Sequence, residues 1–272
     1  MDFTGKTAVS TGAASGMGLP KPSFLNSSAP FITEMVQAPS AARAEHKIRN
    51  AVASGATAIG FQLSKLAVEE RTEEILKKLF AAAEDKPIYF TNYRSGLNRG
   101  VGDRELTDGL LFGLQCGATM VDLMGDAFDP APEELTTNEK AIGEQMKFID
   151  EVHRRGGEVL MSSHVLQFRP AERVLEIATE QQRRGADMVK IVTGADTREE
   201  ELKNLEICAL LKKELKVPFL FLSSGKYTYL HRTIGPALGV CMWLCFKEYD
   251  DTTYPGPPLL ENVLKIRQAL KL

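Results

Sequence analysis

Short apolar runs alternate with amphipathic stretches along almost the whole chain, and this alternation constrains the fold most strongly. Each of eight runs with the character of a buried strand is followed by a stretch with helical periodicity. The predicted strands are 31–36, 57–62, 87–91, 119–124, 158–162, 187–192, 218–222 and 239–246. Strict alternation predicts parallel strands joined by crossover helices. Eight such units favour an α/β fold of the closed (β/α)8 TIM-barrel type, for which about 250 residues is typical.

The same pattern predicts the domain organisation. We expect one catalytic barrel domain over residues 30–272, with residues 1–29 as an N-terminal extension or a segment that closes the barrel. The predicted helices are 40–53, 68–83, 103–115, 138–155, 171–184, 198–215, 230–238 and 259–271.

A lysine in the sixth predicted strand is the strongest indication of chemistry. Lys190 lies in the apolar run 186–192, where lysine is rarely buried without a reason. Full burial can lower the pKa of an ammonium group by ~3–5 units, and a neutral amine attacks carbonyl carbons. His164 ends the preceding strand, and histidine is suited to move protons near pH 7. The alternative is a lysine that reaches solvent at a strand end, with a surface histidine nearby.

Other polar residues follow the predicted strands, where the active sites of barrel enzymes lie. None of them forms a cluster with metal-ligand spacing, so we expect no metal. They are Gln62, Ser64, Asn92, Arg94, Asp122, Asp126, Ser163, Thr193, Ser223 and Ser224.

Composition excludes some classes of partner. The net charge of −3 and the pI of about 5.9 argue against nucleic acid and against an anionic membrane surface. No apolar stretch approaches the roughly 18 residues of a membrane span, and no signal-peptide pattern opens the sequence. The four cysteines show no zinc-type pairing. We therefore expect a reduced, cytoplasmic setting.

The first 18 residues resemble the start of a short-chain dehydrogenase. Thr11, Gly12, Gly16 and Gly18 supply a TGxxxGxG turn, in which glycines let backbone amides approach a pyrophosphate. Pro20 and Pro22 prevent the long helix that must follow. We therefore expect no bound dinucleotide and no other cofactor.

Four motifs in order along residues 30–270 resemble those of the type I 3-dehydroquinate dehydratases, which form a Schiff base with their substrate. They are the third-strand segment KPIYFTNYR (86–94), MSSH (161–164), GADMVKI (185–191) and LSSGKYTYLHRTIGPALG (222–239). The resemblance implies that Lys190 forms an imine with a substrate ketone and that His164 removes and returns the proton. It also implies that Arg232 pairs with the substrate carboxylate and that Arg94 faces the ring hydroxyls. Asp122 matches a strand-four aspartate that we expect to support His164.

The chain also departs from this family. The charged groups of its second strand fall on Gly60, Gln62 and Ser64, and a supporting glutamate after the third strand falls on Asn98. Gln62 and Asn98 then become the candidates for binding substrate hydroxyls. The second carboxylate of strand four falls on Met124. Losing hydrogen-bond partners can shift substrate preference by orders of magnitude, so dehydration is better supported than any one substrate.

Three functions stay open at this point. The first is a Schiff-base lyase that eliminates water from a cyclic hydroxy-keto acid, with 3-dehydroquinate or a related carboxylate as its small-molecule substrate. The second is a class I aldolase-type enzyme, for which Ser223 and Ser224 give a weak hint of an anion loop. The third is a non-catalytic barrel that binds a carboxylate metabolite. The family resemblance implies a homodimer.

Overall fold

Eight parallel strands form the center of the molecule. The structure, a computed structural model, describes residues 22–272. The dehydrogenase-like residues 1–18 lie outside this range. The strands are β1 (Phe31–Val36), β2 (Ala58–Gln62), β3 (Ile88–Thr91), β4 (Met120–Met124), β5 (Glu158–His164), β6 (Met188–Gly194), β7 (Phe219–Ser224) and β8 (Met242–Cys245).

The strands follow one another around the barrel in sequence order. Every consecutive pair from β1 to β7 is parallel, and β8 pairs with β1. Between β7 and β8, the amide of Cys241 donates to the Phe219 carbonyl at 2.9 Å. The sheet is therefore nearly closed, and the predicted single-domain TIM barrel is confirmed.

Within residues 22–272, eight α-helices cover the outside of the sheet in the predicted order. They are α1 (Ala41–Ala53), α2 (Glu73–Ala81), α3 (Asp103–Gln115), α4 (Glu139–Arg154), α5 (Ala171–Arg183), α6 (Arg198–Glu214), α7 (Tyr229–Ile234) and α8 (Leu260–Leu270).

Two helices differ from their predicted bounds by more than one residue, and each has a local reason. α2 begins at Glu73 because the hydroxyl of Thr72 accepts the Ile75 amide and caps the helix there. The predicted helix over 230–238 divides into α7 and a 3-10 turn at Gly235–Leu238, because Pro236 has no amide hydrogen to continue an α-helix.

The loop after β8 is held against α1 by ion pairs. The Nζ of Lys47 lies 2.8 Å from Asp250 Oδ2, and the guanidinium of Arg43 contacts both Asp250 and Asp251. At the opposite end of the barrel, Phe24 is buried and its amide donates to Glu158 at 3.0 Å. No helix among the described residues is long and apolar enough to cross a membrane.

Glu34 on β1 is a buried carboxyl group whose hydrogen-bonding capacity is only partly satisfied. Its side chain is 3% exposed, and within the described range Oε2 has no hydrogen-bond partner. Burial raises the pKa of Glu34 from 4.5 to about 8, although an amide hydrogen bond from Lys247 and the charges of Lys47 and Lys247 oppose the rise. The folded state therefore binds more protons than the unfolded chain between these two pH values. The stability contributed by Glu34 must fall as pH rises through that window.

We predict that Glu34→Gln removes this pH dependence. The free energy of unfolding of the variant, relative to the unmodified chain, should rise by at least about 1 kcal/mol from pH 5 to pH 8. Urea unfolding at both pH values measures the difference. Glu105→Gln, at an exposed position on α3, is the control that should show no such trend. A difference that stays constant between the two pH values would refute the assignment.

Candidate active site

Lys190 projects from β6 into a polar cluster formed by β3 and β4. The side chain is 5% exposed. Its Nζ lies 2.6 Å from the hydroxyl of Tyr93, 3.0 Å from that of Tyr89 and 3.2 Å from Asp122 Oδ2. The lysine is therefore buried with specific partners, and the alternative of a side chain reaching solvent does not hold.

Asp122 is the charged partner of this lysine. Its side chain is fully buried, and Oδ1 accepts the Ser162 hydroxyl at 2.5 Å. Both tyrosine hydroxyls donate to Oδ2. Burial opposes ionisation of Asp122, but the positive charge of Lys190 and these hydrogen bonds hold its pKa below the usual value. Asp122 thus organises the surroundings of Lys190 more directly than those of His164, where we expected its role.

Tyr89 and Tyr93 are functional candidates that the sequence did not reveal. Burial, together with the Asp122 carboxylate, raises the pKa of both phenols well above 10. They therefore remain protonated, donate to Asp122 Oδ2 and accept from Lys190 Nζ. The sequence indicated Tyr89 only through its polar hydroxyl between the apolar residues Ile88 and Phe90.

His164 is paired with a carboxylate from the loop after β4. Its Nδ1 lies 2.6 Å from Glu134 Oε2, and its backbone amide donates to the same oxygen at 2.8 Å. The imidazole is about one-quarter exposed. Glu134 was missed because no spacing links this loop to His164.

Tyr93 lies beside both candidate catalytic residues. Its ring meets that of His164 edge to face at a centroid distance of 5.2 Å, while its hydroxyl contacts Lys190. The register supports this proximity, because Ser162 on β5 pairs with Lys190 on β6 and His164 lies two residues further along the same face of β5. The structure thus brings Lys190, His164 and Asp122 together.

Arg232 is a buried cation with unused donors. Its Nε donates to the Ser223 carbonyl at 2.7 Å and to the Thr228 hydroxyl at 3.0 Å. No carboxylate within residues 22–272 pairs with its guanidinium, and burial lowers its pKa. Such a group is suited to bind a carboxylate from a ligand.

His231, next to Arg232 in the sequence, is buried. A histidine in a predicted outer helix is expected to face solvent, but this residue is 1% exposed. Its Nδ1 accepts the Ser223 amide, and burial together with the charge of Arg232 lowers its pKa to about 3. His231 therefore packs α7 against β7 as a neutral residue.

The side chains of Arg94 and Asn98 form hydrogen bonds with other residues of the protein. The guanidinium of Arg94 binds Asp103 through two bonds of 2.7 Å and Asp126 at 2.8 Å. Asn98 accepts from Arg71 at 2.8 Å and donates to the Tyr93 carbonyl at 2.9 Å. Both side chains stabilise the loop that carries Tyr93. Substrate contact at these two positions stays a prediction.

The second strand presents few polar groups to the site. Gln62 donates to the Ser64 hydroxyl at 3.1 Å. A Cβ atom at Gly60 would lie 2.2 Å from the sulfur of Met35. A glutamate at position 60 would therefore displace Met35, which occupies that space. In the part of the chain that the structure describes, no group of three His, Cys, Asp or Glu side chains is arranged to hold a metal.

Comparison with solved structures places the fold among known enzymes. The 3-dehydroquinate dehydratase of Geobacillus kaustophilus superposes with a TM-score of 0.75 and 15% identity, covering 91% of this chain and 93% of the other. The type I enzyme of Clostridium difficile, solved with covalently modified comenic acid, gives a TM-score of 0.76 and 15% identity, covering 90% and 94%. At this identity the likeness shows the barrel fold alone.

Sequence comparison identifies the family. A 3-dehydroquinate dehydratase of Alkaliphilus oremlandii is 30% identical over 188 residues, which make up 68% of this chain and 69% of the relative. The model of the family described as type I 3-dehydroquinase matches residues 34–272, which include every strand but the first few residues of β1. The chain therefore belongs to the type I 3-dehydroquinase family.

Proposed function

We propose that this chain is a carbon–oxygen lyase that eliminates water from 3-dehydroquinate, or a closely related cyclic hydroxy-keto acid, through a Schiff base on Lys190. Family membership supports the reaction class. The observation that carries the residue assignment is the buried Lys190 amine held between Asp122 and two phenols, with His164 adjacent to Tyr93.

The first stage is imine formation. The nitrogen of Lys190, which is paired with Asp122 as an ammonium group, gives one proton to the ketone oxygen as it bonds to the ketone carbon, and the product is a protonated carbinolamine. The hydroxyl group then leaves with a second nitrogen proton as water, which gives a protonated imine. The carboxylate of Asp122, next to Nζ, stabilises this cation. The hydroxyls of Tyr89 and Tyr93, which donate to Asp122 in the substrate-free protein, turn to donate to the oxygen while its negative charge develops.

The second stage is elimination. The iminium ion makes the neighbouring C–H acidic, and His164 takes that proton to leave an enamine. The enamine expels the β-hydroxyl, to which His164 returns a proton, so that water departs. Hydrolysis of the new imine releases an enone and restores the Lys190 amine. No external cofactor is required, because Lys190 itself supplies the electron sink.

Substrate binding rests on a small set of groups. Arg232 has free donors for a carboxylate, and Gln62 provides an amide for a hydroxyl. Since Met35 fills the space beside Gly60 and Arg94 is engaged by Asp103 and Asp126, the site has fewer charged contacts for ring hydroxyls than the family pattern implies. This supports a substrate requirement relaxed at the ring hydroxyls.

The two other candidate functions gain less support. An aldolase-type anion loop is disfavoured because the Ser223 hydroxyl accepts from Asn204 and that of Ser224 donates to the Thr193 carbonyl. A non-catalytic barrel would have no need of the Lys190 and His164 arrangement. Homodimerisation and a cytoplasmic location are further parts of the proposal, the first resting on the family and the second on four free cysteines.

Replacing Lys190 separates chemistry from folding. Lys190→Arg retains a positive charge beside Asp122 but has no amine that can form the imine, so enone formation should fall below detection while the circular dichroism spectrum is unchanged. Lys190→Met should be equally inactive and less stable, because it leaves the Asp122 charge unpaired. Lys203→Met, on the exposed surface of α6, is the active control. Substantial turnover by Lys190→Arg would exclude the imine mechanism.

Replacing His164 should separate the two stages. His164→Ala should still accumulate a borohydride-reducible adduct, while enone formation decreases about 10²- to 10⁴-fold through loss of the general base and acid. Intact mass and enone absorbance report the two stages. His46→Ala, on the exposed side of α1, should match the unmodified chain. Elimination at the normal rate in His164→Ala would remove histidine from the proton transfer.

Tyr93→Phe tests the phenol donor and keeps the aromatic ring next to His164. We expect imine formation in a single turnover to slow about 10- to 100-fold, because one donor to the developing oxyanion is lost while Tyr89 remains. Quenched-flow borohydride capture measures this rate. Tyr229→Phe, at an exposed position on α7, is the control. An unchanged rate of capture would assign Tyr93 a packing role only.

A further inference from the structure

The loop between β4 and α4 contains a carboxylate that no motif in the sequence marks. The family places its supporting glutamate after strand three, where this chain has Asn98. That asparagine is buried and faces Arg71, Asn92 and Tyr93, without a contact to His164. The histidine is instead reached by Glu134, from the loop of the next strand.

The contacts of Glu134 are directed at one residue. Its Oε2 accepts the backbone amide and lies 2.6 Å from Nδ1 of His164, and no other side chain or amide within the described range bonds to this carboxylate. A carboxylate in this position favours the tautomer with hydrogen on Nδ1. The opposite nitrogen, Nε2, is then an acceptor. Burial disfavours the charge, but His164 holds the pKa of Glu134 below its usual value.

The backbone of the loop is in a conformation that needs support. Glu133 and Glu134 have φ values of 61° and 51°, in the left-handed region that costs non-glycine residues about 1 kcal/mol or more each. Two consecutive residues in this region turn the Glu134 side chain back to His164. The loop must therefore be held by contacts elsewhere.

Two sets of contacts supply that support without using the Glu134 carboxylate. Buried Arg184 donates to the carbonyls of Gly125 at 2.8 Å and Thr136 at 2.6 Å, which joins the two ends of the loop. The side chain of Glu133 is held by Arg169 and by Arg173, the latter at 2.7 and 2.9 Å. The loop can therefore keep its shape when the Glu134 side chain is changed.

We propose that Glu134 is the positioning residue of the general base, holding His164 with Nδ1 protonated so that Nε2 takes the substrate proton. This inference rests on the proposed function for its kinetic part. In this chain the supporting carboxylate is supplied by the loop after β4, and the Glu133–Arg169–Arg173 contacts fix its direction.

Glu134→Gln tests the proposal in two ways. The first readout is the long-range ¹H–¹⁵N NMR spectrum of the His164 imidazole in the substrate-free protein, which reports the tautomer whatever the reaction is. We expect the unmodified chain to show hydrogen on Nδ1 and the variant to lose that preference. The second is kcat for elimination, which should fall about 10²- to 10⁴-fold, with KM changed only a few-fold and borohydride capture on Lys190 retained.

Two further variants separate positioning from folding. Glu139→Gln makes the same change five residues later, at an exposed site on α4, and should leave both readouts unchanged. Glu134→Asp keeps the charge and should recover part of kcat. An unchanged His164 tautomer in Glu134→Gln, or an equal loss of kcat in Glu139→Gln, would overturn the proposal. A chain that forms no adduct on Lys190 yet shows the tautomer shift would disprove the proposed reaction and leave the Glu134–His164 assignment standing.

Discussion

The buried contact between Lys190 and Asp122 is the interaction on which the rest of the site depends. An ammonium or a carboxylate alone would be costly at this depth, and the pair is tolerated only with good geometry and additional hydrogen bonds. Ser162, Tyr89 and Tyr93 supply those bonds. These three residues come from β3, the loop after it and β5, while the ion pair itself joins β4 and β6. Four neighbouring strands must therefore keep their register to hold the Lys190 amine in place.

Around this contact the site contains few charges, and each has a defined task. Asp122 faces the nitrogen on which the proposed cation would form, Glu134 faces His164, and Arg232 has donors that the proposal assigns to a ligand carboxylate. Arg94, which the family pattern assigns to the ring hydroxyls, is bound between Asp103 and Asp126. Residues that match the family's imine-forming lysine and proton-transferring histidine are thus present, whereas the arginine that matches its hydroxyl-binding group is paired with two carboxylates of the protein.

Sequence reasoning reached the fold because the barrel is encoded in local periodicity, and β1 and α3 match their predicted bounds in full. The sequence also singled out Lys190, because its apolar neighbours make a charged residue conspicuous, and His164 at the end of the preceding strand. The contacts made by residues outside these strands could not be predicted from the sequence. The direction of Glu134 depends on two left-handed residues and a pair of arginines distant in sequence, and the burial of His231 depends on how α7 packs against β7. No periodicity or spacing encodes either arrangement.

The central claim is that Lys190 forms a covalent imine with a hydroxy-keto acid, and borohydride reduction in the presence of 3-dehydroquinate tests it most directly. Intact mass and peptide mapping should show one substrate equivalent on the peptide that contains Lys190, together with enone formation in samples without borohydride. Enone formation without any adduct on Lys190 would contradict the mechanism. An adduct on another lysine would contradict the assignment of the nucleophile.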